Sequence, residues 1–218
     1  MIEIIRKTSD DIELVRKDIE PYFCYYDTDY CNFITDEIIS CCKKEFMECA
    51  NFIACYEKVP VTIAGGIVDL GFKIFYSHSL AKNLSGCDYA YIMAATTGIE
   101  SGRLLERNFT VNPLKGLVTD CIGSAAIEAF CDKINLSLGD TDYLRPRFSP
   151  GYGDLMLEYQ KDIVEFLQTK KNIGMGLTES LMMVPVKSVT AIIGIGKEKN
   201  SCTGPGCMIC KNDNCPYR

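Results

Sequence analysis

Apolar positions recur along this chain at two periods. Ile12, Val15 and Ile19 share a helical stripe and predict a first helix over 9–20, with Ser9 or Asp10 as cap. Thr35-Asp36-Glu37 opens a second over 35–49, where its acids meet the positive end of the helix dipole. Residues 51–59, NFIACYEKV, and 67–76, IVDLGFKIFY, read as strands, and Ser77 caps a short helix ending near Gly86. DYAYIMAATTG, residues 88–98, is rich in aromatic and β-branched residues and predicts a buried strand. Helices follow over 99–109 and, from Pro113 in a first turn, over 113–134. Residues 136–154 are dense in Gly, Pro and Asp and read as irregular. A helix over 154–168 then carries Leu155, Tyr159, Ile163 and Phe166 on its apolar stripe. Residues 180–196 form two strands around a turn near Val186-Lys187. Helices and strands mix without strict βαβ alternation. The expected class is α+β, with a mixed, mainly antiparallel sheet and flanking helices.

Composition narrows the function classes. The chain has 218 residues, 47% hydrophobic and 24% charged, as in an ordinary globular protein with one substantial core. A net charge of −6 disfavours nucleic acid as a partner, since phosphate binding needs basic surface. No run approaches the roughly 18 apolar residues of a membrane span. The N-terminus mixes charges of both signs and lacks an apolar signal core, so a cytoplasmic location is expected.

Thirteen cysteines stand out. Cys24, Cys31, Cys41, Cys42, Cys49, Cys55, Cys87, Cys121 and Cys131 are scattered through apolar or helical segments and read as free thiols acting as small hydrophobes. The other four, Cys202, Cys207, Cys210 and Cys215, crowd a C-terminal tail over 201–218, which divides from a main domain over 1–200. Their C-x4-C-x2-C-x4-C spacing, with Gly204, Pro205 and Gly206 for tight turns, suits tetrahedral zinc or an iron–sulfur cluster. A metal-free tail of thiols is the alternative.

The chemistry-bearing candidates are few. The GIG of residues 194–196 lacks the third glycine and following helix of a dinucleotide fingerprint and reads as a strand end. His78 is the single histidine, so a His-centred triad or His-rich metal site is hard to build. Cys121, Ala125 and Glu128 lie at i, i+4 and i+7, which brings the Glu128 carboxylate to the core side of the long helix or to its wet edge. The segment Arg145-Pro-Arg-Phe-Ser-Pro-Gly-Tyr-Gly-Asp154 is the most unusual. Its prolines fix φ, its glycines let backbone approach a ligand, Arg147 offers a fork for a carboxylate, and Tyr152 offers a ring and a hydroxyl. Such groups suit an amphiphilic ligand with a carboxylate and a flat ring. They equally make a rigid loop with a surface arginine.

Arg147-Phe-Ser-Pro-Gly-Tyr152 resembles the Arg-x-x-Pro-Gly-Tyr motif of the activation domain of cobalamin-dependent methionine synthase. Gly174-Met-Gly-Leu-Thr-Glu-Ser-Leu-Met-Met-Val-Pro185 is similar to that family's second signature, and Ala126-Ile-Glu-Ala-Phe130 to its helix with a ligand-facing glutamate. The resemblance spans residues 113–196 and implies an activation-domain-like fold that binds S-adenosylmethionine in a shallow groove. Arg147 would bind the ligand carboxylate, backbone at Ser149 and Gly151 would contact the ligand, Tyr152 would line the site, and Glu128 would be its acidic partner. Glu179 would support the site or serve structure alone. An acidic residue expected before the loop has Asp140 and Asp142 as candidates. The family remethylates a cobalamin carried on a separate domain, using an electron from a flavodoxin- or ferredoxin-type donor. The axial-ligand motif Asp-x-His-x-x-Gly is missing here, because Tyr76 and Ala81 flank His78 in the places of Asp and Gly. The resemblance therefore implies that a partner, methionine synthase or another corrinoid protein, supplies the cobalamin. A metal- or iron–sulfur-binding electron-transfer or adaptor protein is the second reading.

Overall fold

The computed structural model describes residues 1–25, 33–139 and 143–196. Its centre is a five-stranded sheet in the order β1 (Glu3–Lys7), β2 (Phe52–Pro60), β6 (Cys87–Thr96), β10 (Ser188–Gly196) and β7 (Tyr143–Leu144). Every strand pairing among the described residues is antiparallel. The expected α+β class with an antiparallel sheet and flanking helices is therefore borne out.

Both faces of this sheet's inner strands β2, β6 and β10 are covered, which explains why these read as near-continuous apolar runs. Successive strand residues point to opposite faces. Phe52, Ala54, Tyr56, Met93, Ala95, Ala191 and Ile193 belong to one core; Ile53, Cys55, Ala90, Ile92, Ala94 and Ile192 belong to the other. The first core lies under the helices α2 (Asp36–Cys49), α4 (Ile99–Val111) and α5 (Pro113–Leu138). There the Phe130 and Phe52 rings meet edge to face at 5.5 Å. The second core lies under a small sheet of β3 (Thr62–Ala64), β4 (Ile67–Asp69) and β5 (Ile74–Tyr76), the helix α3 (His78–Asn83), and the C-terminal helices α6 (Tyr159–Phe166) and α7 (Thr169–Asn172).

Several helices begin where their caps dictate. Thr35 accepts a hydrogen bond from the Ile38 N–H, and Ser77 accepts one from Leu80. Asn112 accepts from Leu114 and Lys115, with Pro113 in the first turn of α5. The structure departs from the sequence reading in several places; β1 was not expected, and β7 falls in the stretch read as irregular. Residues 9–20 are not one helix: Ser9–Asp11 is a 3-10 turn capped by Thr8, and only Arg16–Ile19, α1, is α-helical, before a second 3-10 turn over Glu20–Tyr25. Asp11 accepts from the Thr8 backbone N–H and Asp18 from that of Val15, so two separate starts replace one helix. The 67–76 strand is a hairpin, because Asp69 accepts from the Gly71 N–H and Gly71 has φ +80°. The 154–168 helix begins only at Tyr159. Residues 183–184, β9, pair with β8 (Gly176–Leu177) rather than with β10.

Of the cysteines expected in apolar places, Cys42, Cys55, Cys87, Cys121 and Cys131 are buried and outside any disulfide, while Cys41 is exposed. Burial pushes the Cys55 and Cys131 thiols up to about 12, so both stay protonated and behave as small apolar groups. Cys24 and Cys31 fall outside the side chains described. Among the described residues, no helix is long and apolar enough to cross a membrane.

Candidate ligand-binding site

The site grows from the outer edge of β10. Beyond β7 the chain continues along that edge: the Arg145 N–H donates to the Gly194 carbonyl at 2.8 Å, and Phe148 and Ile192 exchange backbone hydrogen bonds of 2.9 and 2.8 Å. Neighbouring residues on such an edge point to opposite faces. Phe148 packs into the second core, and Arg147 reaches the other way, onto α5.

Arg147 is held there by two carboxylates. Its Nη2 donates to Glu128 at 2.7 Å and its Nη1 to Asp132 at 2.7 Å. The arginine side chain is 19% exposed, against 46% for Glu128 and 69% for Asp132. Burial works to lower the guanidinium's pKa; Cys131, Glu128 and Asp132 beside it raise it, and the net shift is upward. Glu128 and Asp132 stand one helical turn apart on the wall of an open groove of ≈ 480 Å³. Its opposite wall is Lys17, Asp18, Pro21 and Tyr22.

The loop after Arg147 is a chain of tight turns. The Tyr152 N–H donates to the Ser149 carbonyl at 3.0 Å, and Gly151 donates to the Leu155 carbonyl at 2.8 Å. Gly151 has φ +94°, a conformation that side chains rarely allow. Tyr152 stands 58% exposed, with its ring edge-on to Phe148 at 6.1 Å. Asp154 closes the loop onto the start of α3. It accepts from the Ser77 hydroxyl and from the backbone N–H groups of His78, at 2.8 Å, and Ser79, at 3.1 Å. These bonds hold its carboxyl well below the usual carboxylate range. His78 is thus the first residue of a helix, in keeping with a structural role.

The second signature builds a neighbouring turn. Thr178 accepts from Met182 through its hydroxyl at 3.0 Å and from Leu181 through its carbonyl at 3.0 Å. The conformation rests on Thr178; Glu179 is exposed and makes no hydrogen bond or ion pair among the described residues. Lys187, next to this signature, crosses Gly123 and reaches Asp120 and Ser124 on α5, each at 2.8 Å. A Cβ on Gly123 would stand 3.0 Å from the Lys187 chain.

Among the predicted residues, then, the structure brings Glu128 and Arg147 into direct contact. Ser149, Gly151 and Tyr152 form the adjoining loop, and Glu179 stands on a separate turn. Asp140 and Asp142, and the four cysteines Cys202, Cys207, Cys210 and Cys215, lie outside the described residues. Among the described residues no group of three or more His, Cys, Asp or Glu is placed to hold a metal ion. Asp132, Asp154 and Lys187 were missed by the motif reading. Asp132 had a signal: it lies four residues after Glu128 and so on the same helix face.

Residues 132–202 match the family described as vitamin B12 dependent methionine synthase, activation domain. The chain resembles that activation domain. The matched span opens at Asp132 and contains Arg147, the turn loop and the second signature; Glu128 lies just outside it. A crystal structure of the MetH reactivation domain bound to AdoHcy shares the fold, with a TM-score of 0.63 at 13% identity over 89% of this chain and 78% of that one. No curated protein matches. The fold likeness thus extends well beyond the activation-domain segment, into the N-terminal half where no motif was legible.

Proposed function

We propose that this activation-domain-like chain binds S-adenosylmethionine beside the Arg147–Glu128–Asp132 cluster and serves the reductive remethylation of a corrinoid carried by a partner. The observation that carries this reading is the cluster itself. One guanidinium faces two carboxylates at the edge of an open groove whose lining also carries Lys17, Asp18 and Lys133. S-adenosylmethionine brings two cationic groups, an ammonium and a sulfonium, and one carboxylate. Arg147 complements the carboxylate, and the α5 acids complement the cations. The match of residues 132–202 to the activation-domain family, and a fold shared with a domain crystallised with AdoHcy, support the same ligand class.

In this reading each part of the chain has a positioning task. Glu128 and Arg147 fix the amino-acid end of the ligand. The backbone around Ser149 and Gly151, kept rigid by the two turns, lets the ligand come close where a side chain would intrude. Tyr152 offers an exposed ring and hydroxyl to the adenosyl part. Bound in this way, S-adenosylmethionine supplies an activated methyl group for the reduced corrinoid of the partner. No proton need be moved, so a site without histidine suffices. Holding donor and acceptor in line contributes several kcal/mol, the scale of proximity effects. The partner is methionine synthase or another corrinoid protein, with a flavodoxin- or ferredoxin-type donor supplying the electron. Glu179, on its exposed turn, is assigned a supporting role.

The test uses S-adenosylmethionine labelled in its methyl group, the full-length chain, and a corrinoid-loaded methionine synthase module kept reduced. Label should appear on the corrinoid in the presence of the chain, and the Arg147→Ala variant should slow it at least tenfold. Labelling that is independent of the chain would refute the proposal.

A further inference from the structure

Arg147 already has partners. Both terminal nitrogens of its guanidinium donate to acids of α5, and only 19% of the side chain is open. A ligand carboxylate that seeks two parallel N–H groups therefore meets nitrogens already engaged, and it arrives against two like charges. Three carboxylates around one guanidinium repel one another. Release of one resident acid relieves that repulsion and frees its N–H for the ligand.

The two are not equivalent. Both line the groove, but Glu128 is 46% exposed and leads back along its stripe to the buried Ala125 and Cys121. Asp132 is 69% exposed, one turn nearer the end of α5. Its carboxylate can return to water at little cost, whereas Glu128 is the better shielded of the pair. We propose that Asp132 is an internal competitor for the ligand carboxylate: it occupies Arg147 in the ligand-free chain and swings into solvent when the ligand binds, while Glu128 stays. Such an exchange keeps the guanidinium oriented and charge-paired before the ligand arrives. The inference rests on the S-adenosylmethionine reading of the site.

It makes an uncommon demand, since removing a residue from the cluster should improve recognition of one functional group. Asp132→Asn and Asp132→Ala are compared with the wild type by calorimetry, using S-adenosylmethionine and its decarboxylated analogue. The pair of ligands differs only in the carboxylate, so loss of the general attraction of Asp132 for cations cancels in their affinity ratio. Both variants should raise the preference for the carboxylate-bearing ligand by roughly three- to tenfold, the scale of one partly exposed ion pair. A merely structural Asp132 would weaken both ligands alike. An unchanged or smaller ratio in the two variants overturns the exchange. Binding of neither ligand to the wild type would instead overturn the underlying reading, and this inference with it.

Discussion

Asp154 shows how a single carboxylate can hold a loop that carries other functions. It caps α3 from outside the helix, accepting from one hydroxyl and two backbone N–H groups. Gly153 beside it has φ +56°, and a Cβ there would lie 2.7 Å from the Ser79 hydroxyl, so the chain is threaded tightly at this point. Replacing Asp154 with Asn should cost about 1 kcal/mol, the usual worth of a helix cap, read from chemical denaturation at pH 7. The pH dependence follows from the depressed carboxyl. A group whose pKa is lower in the folded chain stabilises fully above its ordinary value of 3.8 and loses that contribution as pH falls toward the folded value. The gap between wild type and Asp154→Asn should therefore shrink as pH is lowered from 7 to below about 3. A gap that widens on acidification would contradict the assignment.

At the scale of elements, what was legible depended on whether the signal was local. Caps at Thr35, Ser77 and Asn112 are written in adjacent residues, and those helices begin where the sequence places them. The three inner strands of the central sheet, β2, β6 and β10, were found as apolar runs because both their faces are buried, whereas the edge strands β1 and β7 carry no such run. By contrast, the N-terminal segment carries a helical stripe but breaks into turns, because Asp11 and Asp18 each start a separate capping arrangement that periodicity does not register. Strand partnership was not legible either: Met183–Val184 pairs with Gly176–Leu177, and only tertiary packing decides that. In the candidate site, the loop motif pointed to Arg147, and helical spacing pointed to the face of Glu128. Their contact needed the sheet edge to bring residues 19 apart against one another. Lys187, which spans Gly123 to reach Asp120 and Ser124, had no local signal at all.

At the scale of the whole molecule, the central sheet separates two cores, and the site is assembled on the helical side of its edge. The long helix α5 is common to both tasks. Its inner face carries Phe130, Ile122 and Val118, all fully buried, and its outer stripe carries Glu128 and Asp132. The core thus fixes where the acids stand. Phe130→Ala should cost about 3–5 kcal/mol in unfolding experiments, because it deletes a ring packed on Phe52 and leaves a cavity under the sheet. A loss below about 1 kcal/mol would mean that the helix is not fixed by this packing.

Binding of S-adenosylmethionine to the isolated chain can be read directly by titration calorimetry, with Arg147→Ala alongside. The wild type should bind in the micromolar range or more weakly, and the variant should lose roughly 1.5–3 kcal/mol, the worth of hydrogen bonds to a charged group. No heat of binding to the wild type at millimolar ligand would contradict a ligand site on this chain, and equal affinity in both proteins would contradict its placement at Arg147.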